Sequence, residues 1–190
     1  MLLNLRQKND SIQVKGSKLL YVHVSLALLG SLVGLFFLFR TGIKFESHYS
    51  FYYLGVSIIF TPFMLYLALW HLSGFIPGKV LIKIIPGENG EIKSGGKSVK
   101  FKDINEVSFY RRPINLMNVI LLETRDGKKV RIPTYNLIAD WQVDIMVDKY
   151  IYPHMNEQAR KVWDRKIDLK ELFESTTYKR EESGDTPINH

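Results

Sequence analysis

LLYVHVSLALLGSLVGLFFLF, residues 19–39, carries no charged side chain over 21 positions. At about 1.5 Å of rise per residue, a helix of that length covers about 32 Å, enough to cross the hydrocarbon of a bilayer. A second apolar run lies within residues 47–78, where no Asp, Glu, Lys or Arg occurs. The two runs predict a transmembrane hairpin over residues 19–75. The rest of the 190-residue chain is then a short polar tail, a connecting turn and a domain hung from the second span.

The charge is segregated. Residues 1–75 carry a net +4, residues 76–135 a net +6 and residues 136–190 a net −3, giving the overall +7. A basic middle beside a membrane span is suited to anionic headgroups. Its basic residues alternate with strand-like apolar ones instead of clustering on one helix, so no nucleic-acid partner is expected. The chain has no cysteine, which removes disulfide and thiolate chemistry.

Residues 1–18 read as a cytoplasmic N-terminal tail with Arg6, Lys8, Lys15 and Lys18 leading into the first span. A cleaved signal peptide fits less well. The apolar run is long, no small-x-small site follows Phe39, and a second span comes next. Gly30 and Gly34 form a G-x-x-x-G pair that lets helices approach closely. The expected neighbour is the chain's own second span, with homodimerisation as the alternative. His23, near the interface, takes no role. Arg40 to Ser50 forms the turn, and Pro62 would kink the second helix. Tyr49, Tyr52 and Tyr53 fit one interfacial belt and Trp70 the other. More basic residues flank the tail and the domain than the turn, so both termini are expected in the cytoplasm.

From Lys79 the texture becomes short alternating runs cut by turn signals. Val80–Ile85, Glu91–Ser94, Lys97–Lys102, a run through Val107 and Phe109 to Arg111, Asn118–Thr124 and Lys129–Ile132 read as six strands. Gly95-Gly96 and Asp126-Gly127 are hairpin signals between them. Val143, Met146, Val147, Tyr150 and Ile151 then form a helical stripe. Asp140, Asp144 and Asp148 form a second stripe on the same helix, read as a solvated face and not as a metal site. A further helix is expected over residues 156–173, and residues 174–190 are expected to be disordered.

The fold class expected is a two-helix membrane hairpin plus a small α+β domain, an antiparallel sheet or barrel closed by an amphipathic helix. The domains are residues 1–18, 19–75, 76–152, 153–173 and 174–190. No G-x-S-x-G, H-E-x-x-H, Walker A or G-x-G-x-x-G motif is present, and the five histidines have no ligand spacing. No catalytic residue, metal or cofactor is expected. Candidate contacts to lipid headgroups are Lys100, Lys102, Arg111, Arg112, Lys129 and Arg131, all in the basic sheet.

Short strands ending in one amphipathic helix after a two-span hairpin resemble the bacterial pleckstrin-homology-like membrane proteins. Residues 99–107, VKFKDINEV, are similar to that family's strand, Asp-Ile pair and next strand. The resemblance covers roughly residues 19–152. It points to small uncharacterised two-span proteins of Bacillus-type bacteria, some in clusters beside secreted-toxin genes. It implies a PH-like domain at the membrane and carries over no catalytic residue. The expected function is a membrane-anchored interaction module that binds a partner protein, its own oligomer or the anionic membrane surface. The alternative is an immunity or stress-protection protein that works through its hairpin.

Overall fold

The structure is a computed structural model describing residues 5–8, 11–76, 78–87 and 89–180. Two strands come first, β1 (Leu5–Lys8) and β2 (Ser11–Lys15). The helices α1 (Lys18–Ile43) and α2 (Ser50–Leu72) follow. Six strands come next: β3 (Val80–Ile85), β4 (Glu91–Ser94), β5 (Lys97–Lys100), β6 (Ile104–Arg111), β7 (Asn118–Thr124) and β8 (Lys129–Pro133). Three α-helices follow among the described residues: α3 (Asp140–Tyr150), α4 (Glu157–Lys166) and α5 (Leu169–Thr176).

The six strands and the α3 stripe match the sequence reading. The strands form two antiparallel sheets, in the orders β1-β2-β3-β4-β5 and β6-β7-β8. They are not closed into one hydrogen-bonded barrel. Their inner faces share one core with α3 and α4, in which Ile82, Ile84, Ile104, Ile120, Leu122, Met146 and Ile151 are fully enclosed.

The segment read as a tail is instead part of the sheet. Ile12, Gln13 and Val14 pair with Ile84, Lys83 and Ile82 of β3. Val14 is buried, as its alternation with Gln13 and Lys15 would require. The helical hairpin is therefore inserted between two neighbouring strands of one sheet. Lys15 pairs with Val80, so α1 leaves and α2 returns at the same end of that sheet.

α1 and α2 are both long and apolar enough to cross a membrane. Their outer surfaces are open, with Leu26 and Phe51 67% and 77% exposed. The two helices run against each other, but Gly30 and Gly34 lie off their contact. A Cβ built on either glycine would meet nothing within 4 Å. The close approach is at Gly42, where a Cβ would lie 2.8 Å from the backbone nitrogen of Leu54. The expected packing through the G-x-x-x-G pair is thus corrected. α2 continues as helix through Pro62.

The hairpin is bolted to the domain at its open end. The Ser17 amide donates to the carbonyl of Leu137 at 2.8 Å, and the Tyr21 hydroxyl donates to the carbonyl of Gly74 at 3.0 Å. Gly74 packs so closely on Tyr135 that a Cβ there would sit 2.5 Å from the ring.

Two expectations for the C-terminal part also need correcting. The single helix expected over 156–173 breaks at Ile167-Asp168. Asp168 caps α5 by accepting from the amides of Lys170 and Glu171, each at 3.0 Å. Residues 174–180, expected to be disordered, complete α5 and fold back onto α3. The disorder expected for residues 181–190 lies outside the described residues.

Candidate functional site

The break between α4 and α5 creates a cleft. Asp168 turns the chain so that Glu171 and Leu172 face the first two turns of α3 across a space of about 630 Å³. β6 supplies the floor through Val107, Ser108 and Phe109. Trp141 and Trp163 add aromatic wall. The carboxylates of Asp140, Asp144, Asp168 and Glu171 line it, and Lys166 is its one cation among the described residues. That cation is already engaged, because its ammonium donates to the Glu106 carboxylate and, at 2.9 Å, to the Ser108 hydroxyl. In a chain of net charge +7, this is a negatively charged concavity with aromatic sides.

Asp144 is the strained group of the cleft. No side chain among the described residues donates to it. Burial pushes its carboxyl up to about 6, with Asp140, Asp148 and Glu171 adding like-charge repulsion. The expected solvated stripe is therefore corrected: only Asp140 at its start is exposed. The stripe turns inward because α4 and α5 pack over it, which helical periodicity alone does not reveal.

One turn further, Asp148 is enclosed and fully partnered. It accepts from the indole N–H of Trp163 and the hydroxyl of Tyr178, each at 3.0 Å. The Arg180 guanidinium reaches it through Nε at 3.0 Å and reaches Asp164 through Nη1 at 2.6 Å. Arg180 also stacks on Tyr152, 4.1 Å from the ring centroid. Nothing in the sequence pattern of α3 pointed to Tyr178 or Arg180. The usable signal was an aromatic and a basic residue close after the last apolar stripe.

The six basic residues of the predicted headgroup face do not share one place. Asn118, paired with Arg111, sits at the hairpin end of β7, where its amide donates to Asn136 Oδ1 at 2.7 Å. Arg111 and Arg112 therefore lie at the end where the helices leave the domain. Lys129 pairs with Glu123 at the opposite end of its sheet, and Lys100 pairs with Glu91 at the opposite end of the other. Lys102 follows there, beside Asn89. Seven residues of β7 separate the two ends by about 20 Å. Arg131 lies between them, its Nε donating to the Tyr110 hydroxyl at 3.3 Å.

At the hairpin end, Asn136 ties sheet to helix. Its amide nitrogen lies 3.2 Å from His71 Nε2 and 3.0 Å from the carbonyl of Leu116. His71 Nδ1 lies 2.8 Å from the Leu67 carbonyl and donates there, which leaves Nε2 to accept from Asn136. Among the described residues no group of three His, Cys, Asp or Glu side chains is arranged to hold a metal ion.

Comparison with known proteins gives relatives without an assigned role. Residues 10–173 match a family described as "Family of unknown function (DUF5381)". Two proteins of Bacillus subtilis (strain 168) are similar. One, named "Uncharacterized lipoprotein YfjD", is 32% identical over 162 residues, covering 83% of this chain and 88% of that protein. The other, "Uncharacterized protein YfjE", is 33% identical over 142 residues, covering 68% and 93%. No solved structure matches the chain.

Proposed function

The chain belongs to the DUF5381 family of unknown function, and from that premise we propose that it is a membrane-anchored binding module with no catalytic role. Its hairpin holds the sheet domain at the bilayer, and the acidic cleft takes a cationic segment of a partner protein. The observation that carries this is Asp144, a half-buried carboxylate to which no side chain among the described residues donates, between two tryptophan-bearing walls. A lysine or arginine side chain entering there would supply the missing donor and lay its apolar stem on the rings. The lipoprotein name of one relative supports a place at the membrane. Strands followed by a helix that packs on their inner faces support a pleckstrin-homology-like scaffold for the domain.

The test uses the full chain in lipid nanodiscs and an Arg-Leu-Arg peptide amide, read by tryptophan fluorescence. The basic peptide should bind and a Glu-Leu-Glu peptide should not. Asp144→Asn should weaken binding about tenfold, the worth of one charge-assisted hydrogen bond. Binding should also weaken as pH falls through about 6, where Asp144 takes up its proton. Asp140, Asp148, Asp168 and Glu171 face that group, with Lys166 held by Glu106. Equal binding of the two peptides would sink the proposal.

The same reading puts both termini in the cytoplasm. The pairing of β2 with β3 supports their lying on one side, and the distribution of basic residues supports which side. Cysteines placed singly at Ser17, Ser47 and Ser175 would be challenged in intact cells with an impermeant thiol reagent. Only position 47 should react, and labelling at 175 would reverse the orientation.

A further inference from the structure

The loop between β6 and β7 has its apolar residues the wrong way out. Residues 112–117 form a closed turn, with the Arg112 amide donating to the carbonyl of Met117 at 2.9 Å. Inside it, Asn115 is buried and its Oδ1 accepts from the Met117 amide at 3.3 Å. Met117 is buried as well. Ile114, just before Asn115, and Leu116, between Asn115 and Met117, point outward at 69% and 39% exposure. Leu116 is held there at φ 51°, in the left-handed region that a leucine rarely adopts. A polar side chain inside and two large aliphatic ones outside is the reverse of what a loop in water would bury.

The place of this loop explains the inversion. One amide nitrogen, that of Asn136, contacts both the Leu116 carbonyl and the imidazole of His71. His71 is the penultimate residue of α2, whose 23 residues rise about 34 Å against about 30 Å of hydrocarbon. The end of that helix, and the loop bound to it, stand at headgroup depth. Arg111 and Arg112 lead into the loop, and Ile76, 55% exposed, lies on the neighbouring segment after α2.

We infer that the β6–β7 loop is a third membrane contact, in which Ile114 and Leu116 enter the interfacial layer of the bilayer and Arg111 and Arg112 meet lipid phosphates. This rests on the reading of α1 and α2 as spans. Its consequence is orientation. Two helices ending at one sheet edge leave the domain free to tilt, and a contact at the edge of the second sheet removes that freedom. The acidic cleft is then presented at a fixed angle to the membrane.

The chain has no cysteine, so single nitroxide labels can be placed by Ile114→Cys, Leu116→Cys and, at the far turn, Lys128→Cys. The full-length variants would be reconstituted in vesicles of phosphatidylcholine and phosphatidylglycerol. Labels at 114 and 116 should relax several-fold more with oxygen, which partitions into lipid, than with an aqueous nickel chelate. The label at 128 should show the reverse. If 114 and 116 match 128, the loop is in water and the inference fails. Carbonate washing of the same vesicles separates the two readings. Protein that stays bound keeps the spans whatever the loop does, and protein that washes off removes both.

Discussion

The two halves of α3 carry the same residue in opposite circumstances. Asp148, in the second half, is enclosed and collects an indole, a phenol and a guanidinium. Asp144, one turn earlier, is partly enclosed and collects no donor among the described residues, only neighbouring negative charge. Burial costs a carboxylate its hydration in both places. At Asp148 the protein replaces that hydration with its own donors. At Asp144 it leaves the replacement undone, beside a cleft that an outside donor can enter. A carboxylate of the first kind holds a fold together, whereas one of the second kind is available to a ligand.

The largest effect should come from breaking the partnered half. Asp148→Ala leaves Arg180 with Asp164 as its one carboxylate partner among the described residues and frees two neutral donors, and should cost about 3 kcal/mol. Arg180→Ala should cost less, about 2 kcal/mol, because Trp163 and Tyr178 still donate to Asp148. Thermal unfolding of the full chain in detergent micelles reads both. The double variant should be less damaging than the sum, since each change removes the other's partner. Strict additivity would mean that the 177–180 segment does not hold α3 in solution.

How much of this contrast could be read in the sequence depends on how local each signal is. The two apolar runs and the six strands were legible because their periodicity lies within each element. The β2 strand was not, although Ile12 and Val14 alternate with Gln13 and Lys15. Its partner β3 lies beyond the whole hairpin, and five residues of alternation carry little weight before a long apolar run. The α4–α5 break had a signal in Asp168 and Glu171, an N-cap acid three residues before a glutamate. It was overrun by the apolar positions on either side. The aspartate stripe was visible, yet its meaning was set by Tyr178 and Arg180, thirty or more residues on. Spacing gives the face of a helix and leaves open what packs on it. Likewise, the six basic residues looked like one patch because alternation gives a strand's wet face without saying at which end of the sheet each residue lies.

The smallest expected effect has the opposite sign and tests the other half of α3. Asp144 has its carboxyl raised from 3.8 to about 6 by burial, then by Asp140, Asp148 and Glu171. A raised carboxyl means the folded chain binds its proton more tightly than the unfolded chain does. The stabilisation from that proton is complete below about pH 4 and is lost as pH rises through about 6. At pH 7 the wild-type chain therefore carries an unrewarded charge that Asp144→Asn lacks. Allowing for the part of Asp144 that water still reaches, the variant should be more stable by on the order of 1 kcal/mol at pH 7. The gap should close by about pH 4, so unfolding midpoints of the two chains measured from pH 4 to 8 should diverge across that interval. A saturating basic peptide should narrow the gap at pH 7 by stabilising the wild type more than the variant, because the carboxylate gains a charge-assisted hydrogen bond that the amide lacks. If the midpoints stay parallel at every pH, Asp144 is already compensated, and the distinction between the two halves of α3 collapses.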